Sequence, residues 1–342
     1  MINIGIIGWR GLVGTILLNR IKNSFINNFC KIYLFSTNKI IINNENIFNA
    51  FNINFLKSMN IIISCQGSNY TKIVLKKIIL NWKGYWVDSS SFLRMNKECQ
   101  LILDPINKNN IISSFKKKKI FSGANCTISL ALILLKNLYK LNLIDWVSTT
   151  SYQAISGAGA SLIEKMAIDY NFINNIENNL LKIEKKINFK LNKKKSILFN
   201  AIPWIDKKVN FSQNKEEWKS SSEASKILNE NVKIDSNCVR ISSLRCHSQY
   251  FIVKIKKIIN LENFYEIINN NYLKIIKNNN IETINYLNPY NVCGKLKIFV
   301  GRIKKSLINN KIFTMFSVGD QLLWGAAEPL KRFLEILIQF LL

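Results

Sequence analysis

Residues Ile2 to Ile7 form a short apolar run that leads into Gly8-Trp9-Arg10-Gly11-Leu12-Val13-Gly14 and then into a helix-patterned stretch ending near Ile21. Such a run reads as a buried parallel strand, and small residues after it let the backbone turn sharply and approach a ligand closely. Strand, glycine-rich turn and helix start form a cradle for a pyrophosphate, with small residues for close backbone approach and the helix N-terminus for donors. Apolar runs at Lys31 to Phe35, Ile61 to Ser64, Tyr85 to Val87 and Leu101 to Leu103, separated by helix-length segments, continue the alternation that builds a doubly wound α/β sheet. The spacing is Gly-x-x-Gly-x-x-Gly rather than the commoner Gly-x-Gly-x-x-Gly, and a glycine-rich turn alone also serves ordinary structural ends.

The second strand narrows the ligand. A site for NAD usually carries Asp or Glu at the end of this strand, to hold the ribose 2′-hydroxyl. Here the strand ends in Ser36-Thr37-Asn38-Lys39, with no carboxylate to repel a 2′-phosphate and with Arg10 placed to approach one. NADP is therefore the expected cofactor.

At 342 residues the chain is long enough for two domains with separate cores, and 48% hydrophobic residues mark it as globular. Its formal charge of +27 invites a nucleic-acid reading, but the excess is mainly lysine scattered through an Ile/Asn/Lys background. Arginine, suited to two-point base and phosphate contacts, is scarce, so no nucleic-acid partner is expected. A basic field still draws in anionic small molecules. Apolar stretches fall short of the roughly 20 residues a membrane helix needs, and no early segment has the make-up of an export signal. Seven cysteines, an odd count without a Cys-x-x-Cys pair, point to a reducing cytoplasm and to no metal site. Gly, Ala, Trp and Arg collect in islands between tracts such as Ile173 to Asn200 and Asn269 to Asn280, which read as helices and loops of low information.

Two of the islands carry reactive groups. Cys126, in Gly123-Ala124-Asn125-Cys126-Thr127, precedes a long apolar run, which puts a thiol in the first turn of a helix, where free N–H groups and the helix dipole favour a thiolate. The chain has one histidine, His247, in Arg245-Cys246-His247-Ser248. A nucleophile with a single available imidazole suggests covalent catalysis; the alternative is a structural cysteine beside a core histidine. Trp146 to Tyr152 reads as a strand, with Gln153 after it and then Ser156-Gly157-Ala158-Gly159-Ala160-Ser161, a helix start capped by Ser161 or an earlier residue. Arg240 and His247 lie seven apart, on opposite faces of a strand or one face of a helix.

Further stretches complete a pattern: Phe35-Ser36-Thr37, Ser64-Cys65-Gln66-Gly67, Leu93-Arg94-Met95, Tyr152-Gln153-Ala154, Ile202-Pro203-Trp204-Ile205-Asp206, Glu216-Glu217-Trp218-Lys219, Leu244-Arg245-Cys246-His247-Ser248-Gln249 and Val318-Gly319-Asp320-Gln321-Leu322-Leu323-Trp324-Gly325-Ala326-Ala327-Glu328-Pro329. With Gly8 to Gly11 and Asn125-Cys126-Thr127, the chain resembles the aspartate-semialdehyde dehydrogenases of Gram-negative bacterial type, in order over nearly its whole length. The resemblance implies NADP-dependent, reversible conversion of 4-phospho-L-aspartate to L-aspartate 4-semialdehyde and inorganic phosphate, toward lysine, threonine, methionine and diaminopimelate, by a homodimer. It implies Cys126 as the nucleophile that forms a thioester and His247 as general acid/base. It assigns the substrate to Gln153, Glu216 and Arg240, phosphate to Arg94, Asn125 and Lys219, and the cofactor to Arg10, Gly11, Leu12, Val13, Thr37, Asn38, Gln66, Ser156, Gly157 and Gln321. The implied fold is a Rossmann-type doubly wound domain, residues 1–124 plus 328–342, and an α+β catalytic and dimerisation domain, residues 125–327.

Two departures from that family stand out: a short Lys/Asn-rich segment between Tyr170 and Ile202, and Ala124 where glycine is usual. An N-acetylglutamyl-phosphate reductase would share fold and thioester chemistry but not the Asn-Cys-Thr motif or the Gln-Leu-Leu-Trp-Gly ending. A glyceraldehyde-3-phosphate dehydrogenase would place its histidine soon after the cysteine. A nucleotide-binding protein without catalysis is the non-enzymatic alternative.

Overall fold

The computed structural model of the chain describes residues 1–38, 47–173, 179, 181–185 and 196–342. Among these, β1 (Ile2–Ile7), β2 (Cys30–Ser36), β3 (Ile47–Asn49), β4 (Ile61–Ser64), β5 (Tyr85–Asp88), β6 (Cys99–Ile102) and β7 (Ile120–Gly123) form a parallel sheet in the order β3-β2-β1-β4-β5-β7-β6. Every residue of β4 and β5 is buried, as expected for strands covered on both faces. Strand order reverses between β1 and β4, which opens a crevice at the carboxyl ends of the central strands. This is the Rossmann-type doubly wound arrangement.

Two strands of this sheet were not expected from the sequence. β3 is a three-residue edge strand, and β7 contributes only Ile120 and Phe121 as large apolar residues, too few to show a period. The strand expected at Leu101 to Leu103 runs instead over Cys99–Ile102. Lys39, invoked for the cofactor, and residues 174–178, 180 and 186–195 of the short Lys/Asn-rich segment lie outside the described residues.

The second sheet is mixed: β8 (Ile144–Gln153), β9 (Ala201–Ile202), β10 (Ile234–Ile241), β11 (His247–Ile255), β12 (Leu273–Ile275), β13 (Ile298–Lys305) and β14 (Ile312–Gly319), in the order β12-β13-β14-β11-β8-β10-β9. β12 falls inside the tract Asn269 to Asn280, which composition marked as helix and loop; pairing with β13 overrides the weak propensity of so short a run. The helix Cys126–Lys140 packs on the inner face of this sheet. Its Ile128, Leu130 to Leu135 and Leu138 share one core with Val147, Phe251, Val253, Phe313 and Met315. The helix after the glycine loop begins at Ala160, so Ser161 sits inside its first turn rather than capping it. Gly159, at φ +99, makes the entry bend.

The last helix, Glu328–Leu341, returns to the first sheet. Leu330, Phe333, Leu334, Leu337 and Ile338 join a core with Ile4, Ile6, Leu17 and Phe121. Arg332 grips the Asp104 carboxylate at both oxygens, 2.6 to 2.8 Å away. Phe333 is fully buried, its ring 4.6 Å from that of Phe121 and 5.8 Å from that of Phe115. Phe333→Ala should therefore lower stability by about 3–5 kcal/mol, read as a reduced urea midpoint at unchanged slope.

Candidate active site

Cys126 is the first residue of its helix and Asn125 is its cap. The Asn125 Oδ1 accepts the backbone N–H of Thr127 at 2.9 Å and of Ile128 at 3.4 Å, and it also accepts the Thr127 hydroxyl. Gly325, in a single π-turn at Leu323–Ala327, lies so close that a Cβ there would stand 2.4 Å from the Cys126 Cβ. A residue without a side chain is the only kind that fits. The Cys126 Sγ lies 3.2 Å from the His247 Nε2.

The seven-residue spacing of Arg240 and His247 is neither of the two cases open to the sequence. The residues end one strand and begin the next. β8 pairs parallel with β10, placing Gln153 opposite Arg240, and antiparallel with β11, placing Tyr152 opposite Ser248. Gln153, Arg240 and His247 therefore gather at one edge of three neighbouring strands. The link between β10 and β11 is sharpened by Cys246, in the left-handed region at φ +72. Its N–H donates to the Gln321 Oε1 at 2.7 Å, while the Gln321 amide donates to the Ser156 Oγ at 2.6 Å.

His247 is fully buried. Its Nδ1 accepts the backbone N–H of Ala154 at 3.1 Å, which assigns the hydrogen of the neutral ring to Nε2, facing the sulfur. Burial and the nearby Arg240 guanidinium depress its pKa to about 3, against a smaller pull from Glu216. Arg240 donates to the Ala154 carbonyl at 2.6 Å. A Cβ on Gly157 would lie 3.3 Å from the imidazole Cε1 and 3.4 Å from the Arg240 Nη1, so Gly157 forms the wall beside both.

Charged groups surround the thiol. The helix Lys215–Leu228 opens with a capping box between Asn214 and Glu217 and buries Glu216, Lys219 and Glu223. The Glu216 Oε1 accepts Asn125 Nδ2 at 2.8 Å and Gln153 Nε2 at 3.3 Å; its Oε2 accepts Lys219 Nζ at 2.8 Å. Burial alone would raise this carboxyl. Lys219, Asn125 and Arg94 outweigh that and hold it down at about 2. Lys219 also donates to Asp206 at 3.2 Å. Arg94, reaching in from the loop after β5, donates to the Glu223 Oε1 at 3.3 Å and to the Ser89 carbonyl at 3.3 Å; its buried Nε–H has no acceptor among the described residues.

A helix start was expected to favour the thiolate. Burial instead pushes the Cys126 thiol up to about 12, with Glu216 adding to the rise and Arg94, Arg240 and Lys219 drawing it back. Desolvation of a charged sulfur outweighs the helix end.

The cofactor residues divide into two groups. Arg10, Gly11, Thr37, Asn38 and Gln66 line a cleft of about 410 Å³ at the strand-order reversal, together with Gly8, Trp9, Ser36 and Cys65. Leu12 and Val13 follow Gly11 as the first residues of the helix that starts at that cleft. Ser156 and Gly157 sit in the turn Ile155–Ala158 after β8, with Gly157 beside His247, and Gln321 follows the end of β14. Gly8, at φ +76, packs on the backbone of Cys65 and Gln66, and a Cβ at Gly14 would lie 2.2 Å from the Gly8 carbonyl oxygen. The turn is thus closed tightly around the helix start that receives a pyrophosphate. Arg10 Nη2 donates to the Ser36 Oγ at 3.2 Å, and among the described residues no carboxylate lines the cleft; the residues present fit a dinucleotide.

Sequence reasoning missed Glu223, although it lies two helical turns after Glu216 on the face shared with Lys219, a spacing legible in advance. It also missed Gln249, whose amide donates to the Thr127 carbonyl at 3.2 Å, and Asp320, which ties Arg245, Gly294 and the π-turn together. Among the described residues no cluster of three or more His, Cys, Asp or Glu side chains is placed to hold a metal ion, and no helix is long and apolar enough to cross a membrane.

A dinucleotide sheet joined to a mixed sheet bearing a thiol–imidazole pair is the architecture of a semialdehyde dehydrogenase. The family described as semialdehyde dehydrogenase, NAD binding domain, matches residues 3–114, and the semialdehyde dehydrogenase dimerisation domain matches residues 135–324. Aspartate semialdehyde dehydrogenase from Francisella tularensis is 38% identical, with 98% of this chain and 100% of that one covered and a TM-score of 0.94. Two more distant structures share the fold. Aspartate semialdehyde dehydrogenase II from Vibrio cholerae, complexed with ASA, is 21% identical over 99% of this chain and 98% of its own, at a TM-score of 0.82. The Candida albicans enzyme with NADP is 15% identical over 99% and 98%, at 0.69. The chain belongs to the aspartate-semialdehyde dehydrogenase family of oxidoreductases.

The raised thiol gives a direct measurement. Alkylation of Cys126 by iodoacetamide, taken as the difference between the native protein and Cys126→Ala, should climb steadily from roughly pH 7 to pH 10. A plateau already reached at neutral pH would mean that the thiolate is formed there.

Proposed function

We propose that the protein catalyses the NADP-dependent, reversible reduction of 4-phospho-L-aspartate to L-aspartate 4-semialdehyde and inorganic phosphate through a thioester on Cys126. Its place is the biosynthesis of lysine, threonine, methionine and diaminopimelate. It works in the cytoplasm as a homodimer, with residues 1–124 plus 328–342 binding the nucleotide and residues 125–327 carrying the chemistry and the dimer contacts. The observation that carries this reading is the 3.2 Å contact between the Cys126 Sγ and the His247 Nε2, set among Arg94, Arg240, Lys219 and Glu216.

In this reading the Cys126 thiol gives its proton to an oxygen of the departing phosphate as its sulfur attacks the acyl carbon; the carbon–sulfur bond forms and the carbon–oxygen bond to phosphate breaks. Arg94 and Lys219 carry the positive charge that receives the departing phosphate, with the Asn125 side chain beside them. When bound, the dinucleotide supplies the hydride that reduces the acyl carbon. His247 holds its Nε2–H toward the sulfur, where it steadies charge on sulfur and donates to the substrate oxygen as that oxygen becomes anionic. Collapse then breaks the carbon–sulfur bond and releases the aldehyde, and the sulfur, leaving as thiolate, takes up a proton from solvent to restore the thiol.

Arg240 uses one nitrogen on the Ala154 carbonyl and keeps others for the α-carboxylate, a two-point contact that lysine cannot reproduce. Glu216, held anionic, accepts the α-ammonium, and Gln153 orients both the carboxylate and the acyl group.

The deciding assay mixes the protein with NADP, phosphate and aspartate semialdehyde. Phosphate-dependent growth of NADPH absorbance is expected, and its absence in a folded sample overturns the assignment; Cys126→Ala should abolish the signal while retaining NADP binding. The carboxylate-free end of β2 carries a second expectation. Turnover should be faster with NADP than with NAD, and Arg10→Ala should narrow the gap, whereas equal rates in the native protein would contradict the cofactor reading.

A further inference from the structure

Glu223 is buried to 1% exposure, and the chemistry outlined above makes no use of it. Its two carboxylate oxygens serve different parts of the molecule. Oε2 accepts the backbone N–H of Asn125 at 2.7 Å, at the cap of the helix whose next residue is Cys126. Oε1 accepts the Arg94 Nη1 at 3.3 Å, an arginine on the loop between β5 and β6 of the first sheet. Burial lowers the guanidinium's proton affinity, and Glu223 leads the contributions that more than restore it. Arg94 nonetheless retains a buried Nε–H without an acceptor among the described residues, a donor still available to an anion. Next to Arg94 on its peptide side, Lys226 of the Glu223 helix donates to the Arg94 carbonyl at 2.6 Å, so the arginine is held at both ends by one helix.

We infer that Glu223 is a positioning residue, which sets the separation between the phosphate-binding guanidinium of Arg94 and the attacking sulfur of Cys126. This rests on the reading of the site as an acyl-phosphate reductase. A carboxylate that only balanced the charge of Arg94 would need no bond to the backbone of Asn125, the residue that caps the helix of the thiol. Here one rigid, planar group makes both contacts, so a shift of either partner is transmitted to the other. Glutamine has nearly the same shape but one acceptor oxygen and one NH2 group. Whichever way the amide turns, a donor faces a donor, at Arg94 or at Asn125. Aspartate keeps two acceptors on a shorter stem.

The test compares the native enzyme, E223Q and E223D in the phosphorylating direction. E223Q is expected to raise the KM for phosphate about tenfold, with the KM for NADP unchanged within about twofold and E223D in between. A second readout is independent of turnover: inorganic phosphate should slow iodoacetamide alkylation of Cys126 in the native protein and lose that effect in E223Q. If E223Q does not fold, E223D alone should show both changes in weaker form. A folded variant with native phosphate KM and native protection overturns the inference, as does a fall in kcat alone. An inactive native enzyme would defeat the underlying reading instead.

Discussion

A sulfur on a helix and an imidazole on a sheet edge meet at 3.2 Å because backbone groups hold each one separately. The helix end is fixed by Asn125 and by the bare backbone of Gly325; the imidazole is fixed by the Ala154 N–H and by the turn at Cys246. Neither side chain chooses its place by flexible packing. The contact therefore inherits the rigidity of the two sheets, and the surrounding substrate groups take their positions from the same strand ends. A site built this way holds its geometry before any ligand enters, which is where preorganisation does its catalytic work.

The charges around that contact form alternating pairs: Arg94 with Glu223, Lys219 with Glu216 and Asp206. Burying such ions is costly unless each has a partner and its remaining donors and acceptors are met. Glu216 meets this condition with three donors from three elements, while Arg94 keeps a donor in reserve. The network thus stays close to electrically balanced but is ready to receive a further anion. The same low-dielectric surroundings hold the resting sulfur protonated and the imidazole neutral, so charge is present on the scaffold and appears on the reacting pair only as bonds change.

Much of this was legible in the sequence. The turn at Gly8 to Gly14, the carboxylate-free end of β2 and the setting of Cys126 each report a local requirement, so a linear reading finds them. The relation of Arg240 to His247 escaped because it depends on three strands pairing in a mixed order, which spacing along the chain does not encode. Burial was also invisible: helix-start arguments favour a thiolate, and only the enclosing residues reverse the balance. β7 and β12 went unread because a few apolar residues in an Ile/Asn/Lys background look the same in a strand as in a loop. Their identity comes from neighbours far away in sequence.

The helix Glu328–Leu341 completes the core of the first sheet, yet it follows the entire second sheet in the chain. During translation the early strands leave the ribosome with one apolar flank uncovered, and that flank waits until every later strand has been made. The first sheet cannot complete its core ahead of the second, as successive domains commonly do. A chain ended before Leu330 would lack the side chains that close this core, and its first sheet would carry an open apolar side.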